Sequence, residues 1–283
     1  MALPPAGRPC QPRPPGPTSL VVRWKLALVT LGLALAATGG KAALPDLGGR
    51  VVVVAVEDDY PPFNYVLPAT GQPGGWDYDT VRELGRRLHF RPEFREIPWD
   101  SMIQGVATGQ FDLAANGITA TPERARVVDF SAPYAQVRQR LLVRSDERRF
   151  ATLPEFARTT GARLGAQKGN TNYTRAEELV GRSRIVAYDA FGDLVLALLS
   201  GDLDAVIIDD VGGQGYVGAN AGRLRLLDGA LAAQDLAMVF PPKSPLRAPV
   251  DAALAAMQAD GSLGKISARW FSPHLASAGG APP

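Results

Sequence analysis

The sequence predicts an α/β protein with two mixed sheets, each flanked by helices. Three observations carry this reading. Val51–Val56 is a continuous β-branched run of the kind that forms a strand buried on both faces. From there onward, strand-like and helix-like segments alternate almost to the C-terminus. After a strand at 139–144, a fresh series of βα units begins, which fits a second sheet better than an extension of the first. A chain of 283 residues can form one large domain or two ordinary ones.

Each element has its own signal. After the first strand, Asp79 is placed to cap a helix whose Val81, Leu84 and Leu88 share one face. A strand at 94–98 leads to a short helix at 101–108, with Met102, Ile103 and Val106 inward and Gly109 as its stop. A strand from Phe111 breaks at Asn116-Gly117. Thr121-Pro122 then has the hydroxyl and the fixed φ of a helix start, followed by a strand at 127–130. In the second series, helices start at Thr152 and Asn172 and span 191–200, between strands at 163–167, 184–188 and 203–209. A strand at 236–240, helices at 249–259 and 263–271, and an Ala/Gly/Pro tail complete the chain.

The start of the chain reads differently. Residues 1–25 are proline-rich and carry Arg8, Arg13, Arg23 and Lys25 without an acid, and 26–37 is a short apolar run followed by small residues. That order is a secretory signal, with cleavage neighbourhoods at Ala34-Leu35-Ala36 and Ala42-Ala43. The run is short for a membrane span. Removing residues 1–43 takes away five cations and no acid, so a formal charge of +2 becomes 25 bases against 28 acids, or −3. Cys10, the one cysteine, goes too, which leaves the mature chain no disulfide and no thiol nucleophile. No cysteine follows the apolar run, so a lipid anchor is not expected. No basic tract marks nucleic acid as a partner.

Several residues do not serve the fold alone. Arg124 sits in the first turn of the expected helix, where a cation opposes the helix dipole by roughly 0.3–1 kcal/mol. Its compensating anion is either an intramolecular carboxylate or the carboxylate of a ligand, held beside Gly117 and Thr119. Tyr60-Pro61-Pro62-Phe63 follows the first strand, and Trp99 follows another, where open α/β sheets bind ligands. Asp209 and Asp210 end a buried strand. The loop from Gln167 through Asn170 to Thr171, between strand and helix, has the makings of an amide nest. Singly, each has an ordinary structural use as rim aromatic, cap or turn. Together they complement a free α-amino acid: a guanidinium and amides for the carboxylate, an aspartate for the ammonium, aromatics for the side chain.

The segments around Tyr60–Phe63, Gly75–Asp79, Phe111–Arg124, Gln167–Thr171 and Leu203–Val211, with the closing 236–243 and 261–271, resemble the polar amino-acid-binding proteins of ABC importers. The resemblance covers about residues 50–271. It implies two lobes of the periplasmic binding type II fold: residues 44–138 and 233–273 form the first, 139–232 the second, and 274–283 a tail. The lobes close about a hinge near 136–143 and 228–236. It further implies that Arg124, with Thr119 and the Thr171 amide, takes the ligand carboxylate. Asp209, the Gly117 carbonyl and the Thr119 hydroxyl take the ammonium. Tyr60 and Trp99 flank the side chain, and Glu57, Gln167 and Asn170 complete the contacts. Asn116-Gly117 replaces a serine pair of some members. The implied partners are an amino acid and a membrane permease, with no cofactor, and the implied protein is a periplasmic monomer.

The acidic run Glu57-Asp58-Asp59 at the cleft mouth suits a basic amino acid such as arginine, a solvated turn being its ordinary alternative; glutamine stays open. Two other functions share the fold: an enzyme resembling cyclohexadienyl dehydratase, which needs a general acid in the cleft, and a receptor ectodomain. A metal enzyme finds only His89 and His274, without ligand spacing.

Overall fold

The computed structural model describes residues 43–271. Of the expected signal sequence, 1–43, all but Ala43 lies outside that range, Cys10 included, as do the last two residues of the expected first lobe, 272 and 273, and the expected tail, 274–283.

In β1 (Val51–Val56), Val52, Val54 and Val56 are wholly buried. Three short strands with little sequence signature follow, β2 (Asp59–Tyr60), β3 (Asn64–Val66) and β4 (Pro73–Gly74), and make a small antiparallel sheet of their own. Helix α1 (Trp76–Leu88) starts three residues before the expected cap at Asp79. Gly75, at φ 135°, turns the chain into it, and the amides of Trp76 and Asp77 donate to Pro62 O (2.9 Å) and Phe63 O (2.8 Å). The preceding turn thus satisfies the first orphan amides, and no side-chain cap is needed. Asp79 is used elsewhere: its Oδ2 accepts from Arg269 Nη1 (3.0 Å) and Trp270 Nε1 (2.8 Å).

The next strand, β5 (Arg91–Glu96), lies earlier than the expected 94–98 and is largely polar. It is an edge strand, parallel to β1 from Val51↔Arg91 to Val56↔Glu96, and an edge needs backbone pairing more than apolar content. Helix α2 (Trp99–Ala107) begins at Trp99 itself and buries Met102 and Val106 on the sheet face opposite α1. β6 (Leu113–Ala114) pairs parallel to β1, and β7 (Asp129–Phe130) ends the first run.

The long β8 (Ala135–Arg144) carries the chain into a second sheet. Helix α3 (Leu153–Arg158) opens with a capping box: Thr152 Oγ1 accepts from Glu155 N (3.4 Å) and Glu155 Oε2 from Thr152 N (3.3 Å). Then come β9 (Leu164–Gln167), α4 (Thr171–Val180), β10 (Ile185–Tyr188), α5 (Phe191–Ser200), β11 (Ala205–Asp209), α6 (Asp210–Ala219) and β12 (Leu224–Leu226). The order is β10-β9-β11-β8-β12, parallel among β10, β9 and β11 and antiparallel on either side of β8.

The expected strand at 236–240 is interrupted, because its two ends serve different sheets. β13 (Ala233–Leu236) pairs with the first half of β8, and β14 (Val239–Phe240) returns to the first sheet, in the order β5-β1-β6-β14-β7. Helices α7 (Arg247–Ala259) and α8 (Ser262–Phe271) close against α1. Trp76, wholly buried, anchors that closure: its ring stacks on Tyr134 (4.6 Å) and Phe271 (5.9 Å), and its Nε1 donates to Ser267 Oγ (3.1 Å). Burying such side chains contributes about 1.5–3 kcal/mol each. The result is two mixed sheets with flanking helices, joined by two strands. One apolar cluster continues from Tyr60 and Phe63 on the first lobe to Phe191 and Tyr216 on the second.

Candidate functional site

The turns that follow β1, β5, β6, β9 and β11 converge between the lobes, at the carboxyl ends of these strands. They enclose about 360 Å³ of space, mouth included, lined by Glu57, Tyr60, Trp99, Asn116, Gly117, Thr119, Arg124, Gln167, Asn170, Thr171, Asn172 and Asp209. All eleven residues selected from the sequence face this one cavity; Asn172 joins them.

Arg124 is not in an α-helix. The chain forms a turn and a single 3-10 turn, Arg124–Arg126, in which the Thr121 hydroxyl still accepts from Arg124 N (3.2 Å). Three residues build almost no dipole, so the expected conflict with a helix end falls away. The need for an anion does not. The guanidinium lies over the Trp99 ring (5.0 Å), donates through Nη1 to Thr119 O (2.9 Å) and reaches Gly169 O on the other lobe (3.5 Å). Among the described residues it makes no ion pair. Burial pushes its pKa down to about 10, so it stays cationic at neutral pH with only carbonyls and a ring for company.

Asp209, the last residue of β11, is its counterpart. Oδ2 accepts from the Tyr60 hydroxyl across the lobes (2.7 Å), and Oδ1 is buried without a partner. Burial, with Asp210 adding to it, raises the pKa to about 6 against the opposing Tyr60 bond. Tyr60 itself is packed between Phe63 (5.6 Å) and Phe191 (5.4 Å). Asp210 turns away to its own helix start and to Arg138 N (3.1 Å).

The acidic run does not act as a unit at the cleft mouth, nor is it a solvated turn. Asp58, at φ 59°, reverses the chain and sends the three carboxyls in different directions. Asp58 accepts from the Tyr78 hydroxyl (2.8 Å), and Asp59 Oδ2 accepts from Gly192 N at the start of α5 (2.6 Å). Glu57 alone faces the cavity. Its Oε1 accepts from Gln167 Nε2 (2.9 Å) and its Oε2 from Asn116 Nδ2 (3.3 Å), while Asn116 Oδ1 holds Glu57 N (2.8 Å). Burial, reinforced by Asp59, raises its pKa to about 7 despite these bonds. The asparagine in place of a serine thus acts as a two-point clamp on Glu57.

On the second lobe, Gly169 (φ 71°) bends the loop, and Asn170 caps α4 through Oδ1 on Tyr173 N (2.9 Å). The Asn170 amide nitrogen also fixes Gln167 Oε1 (3.2 Å). Asn172 accepts from Gln139 Nε2 (2.6 Å). Thr119 and Thr171 meet across the lobes through Gln234 of β13, which sequence reasoning missed: a lone glutamine in a short strand carries no local signal. Chemically, the cavity offers a cation without an anion, a carboxyl oxygen without a donor, and a second carboxyl held only by amides.

Two lobes of mixed sheet, crossed twice by the chain and closing on a polar cavity, define a periplasmic binding protein of the type II fold. Residues 52–273 match the bacterial extracellular solute-binding proteins, family 3, and the chain belongs to that family. It is 26% identical over 255 residues to the arginine-binding extracellular protein of Bacillus subtilis (strain 168), covering 88% of this chain and 98% of that one. The arginine-, lysine-, histidine-binding protein of Geobacillus stearothermophilus superposes with a TM-score of 0.72 at 28% identity, over 78% of this chain and 95% of that one. An ancestral amino acid-binding protein, a precursor of cyclohexadienyl dehydratase, gives the same TM-score of 0.72 at 28% identity, over 78% and 96%.

Proposed function

We propose that the protein captures a polar or basic L-amino acid outside the cytoplasm, in the cleft between lobes 44–138 with 233–273 and 139–232, and delivers it to an ABC-transporter permease as a monomer. The observation that carries this reading is the pairing of unmet charges: Arg124 has no anion among the described residues, Asp209 Oδ1 is buried without a partner, and both line one cavity. A zwitterion answers both, and sealing one between lobes costs several kcal/mol per ion unless each end is paired. Arg124, with the Thr119 and Thr171 amides, takes the carboxylate. Asp209, with the Gly117 carbonyl and the Thr119 hydroxyl, takes the ammonium. Trp99 and Tyr60 bound the side chain, and Glu57 with Gln167 meets its far end, where a cationic group suits the carboxyl best.

A dehydratase acting on prephenate is disfavoured by the same chemistry, since prephenate has no ammonium for Asp209. The test is a thermal-shift screen of the twenty amino acids with prephenate and arogenate alongside. A polar or basic amino acid is expected to give the largest shift, and no aromatic product should form. No shift with any amino acid, or turnover of prephenate, would reject the reading.

A further inference from the structure

Gln234 stands in the middle of β13, one of the two segments that join the lobes, and its side chain reaches both of them. Its Oε1 accepts from Thr119 Oγ1 (3.0 Å) and from Thr171 Oγ1 (3.1 Å), and the two hydroxyl oxygens lie 3.5 Å apart. Thr119 is fixed to the same strand by a bridge to Leu236, and Thr171 opens α4 of the second lobe. Both line the cavity. A threonine hydroxyl carries one proton and two lone pairs. With both protons spent on one carbonyl oxygen, each threonine has only lone pairs left for whatever enters. A pair of free hydroxyls would donate to a carboxylate or accept from an ammonium equally well; this pair can only accept.

We propose that Gln234 is a positioning residue which, by taking both hydroxyl protons, makes Thr119 and Thr171 acceptors and so gives the cavity its preference for an α-ammonium over an otherwise identical acid. The inference rests on the amino-acid reading above and deepens it. Asp209 supplies charge for the ammonium, and the oriented threonine oxygens supply direction. Because Gln234 meets threonines of both lobes, that orientation exists only in the closed arrangement.

The experiment is calorimetry at about pH 8, where a substituted glutamate is ionised, with L-arginine and L-glutamine, each beside its des-amino acid (δ-guanidinovalerate and glutaramate). The quantity read is the ratio of the two affinities. In Gln234→Leu the hydroxyls can still accept but are no longer held to it, and the preference for the amino acid should fall by up to roughly tenfold, the worth of one hydrogen bond to a charged group being the ceiling. In Gln234→Glu, whose side chain can only accept, it should be kept or increased. Thr119→Val, which removes one acceptor, should copy the leucine variant. If the leucine variant loses its cooperative thermal transition, the glutamate and valine variants carry the test alone. An unchanged ratio in Gln234→Leu or Thr119→Val overturns the inference. So does a loss confined to Gln234→Glu, which would put the amide nitrogen against the hydroxyls. Wild-type protein that binds none of the twenty amino acids overturns the functional reading and this inference with it; if it binds one other than arginine or glutamine, that amino acid and its des-amino acid are the pair measured, and binding with unaltered ratios overturns the inference alone.

Discussion

Among the described residues, Arg124, Glu57 and Asp209 line the cavity without an ion pair. For Arg124 the ring of Trp99 and two carbonyls replace water without supplying an anion. Arg124→Ala is therefore expected to cost about 2–5 kcal/mol of amino-acid binding, roughly thirtyfold to several-thousandfold. The melting temperature of the ligand-free protein should stay or rise, because a desolvated, unpaired cation is removed. Calorimetric affinity within a few-fold of wild type would refute the carboxylate assignment. Glu57, with its pKa raised to about 7, is partly protonated in neutral solution. A ligand cation favours the carboxylate, so L-arginine should displace a proton from Glu57 between about pH 6 and 7, and its affinity should rise with pH across that window. L-glutamine lacks the cation, and both ligands act alike on Asp209. The excess proton release of arginine over glutamine, read from binding heats in buffers of different ionisation enthalpy, should vanish in Glu57→Gln. Equal release by both ligands in the wild type would detach Glu57 from the side-chain end.

Helix α6 has a composition that no isolated helix would choose. Gly212, Gly213, Gly215 and Gly218 fall within ten residues, each costing up to about 1 kcal/mol relative to alanine. The use of the first three is close approach. A Cβ on Gly213 would meet Leu226 at 2.6 Å inside its own lobe, but one on Gly212 would meet the Tyr60 ring at 3.0 Å and one on Gly215 the Pro61 carbonyl oxygen at 2.7 Å. The first lobe's turn thus seats on bare helix backbone of the second, beside the Asp59 contact to α5 and the Tyr216 hydroxyl on Asp59 O (2.8 Å). Gly215→Ala should favour the helix while opposing closure by about 1–3 kcal/mol, the usual cost of overpacking. It should weaken amino-acid binding through faster dissociation although it touches no cavity residue. Stopped-flow release rates equal to wild type would show that the seat does not separate.

On the scale of the whole molecule, residues that line the cavity also bridge the lobes: Tyr60 with Asp209, Glu57 with Gln167, Arg124 with Gly169, and Thr119 with Thr171 through Gln234. A ligand that adds contacts to both lobes shifts the hinge toward this arrangement by its differential affinity and no more. At a hundredfold excess over Kd, linkage adds about 2.7 kcal/mol, which in a domain of this size raises the melting temperature by about 5–10 °C. The radius of gyration in solution scattering should fall on adding that amino acid. Stabilisation without compaction would locate binding on one lobe.

Local chemistry sufficed for most elements and their order: the valine run of β1, the helix start at Thr152 and the span of α5 were legible because propensity and periodicity act within a few residues. Part of the cavity lining was legible from the set rather than from any one residue: Arg124, Asp209, the aromatics and the 167–171 loop each have an ordinary structural use, and only together do they fit a ligand, while the ligand-facing roles of Glu57 and Gln167 came from the family resemblance. The polar edge strand β5 and the small β2–β4 sheet were not, because backbone pairing with distant strands holds them. Only the tertiary structure decided that Arg124 sits in a 3-10 turn, that Glu57, Asp58 and Asp59 part company, that 236–240 splits between two sheets, and that Gln234 joins two threonines 115 and 63 residues away. The sequence by itself determined which groups carry charge and which strands they end. Which charge is left without a partner depends on desolvation and on contacts between segments far apart in the chain, and those exist only once the two lobes have met.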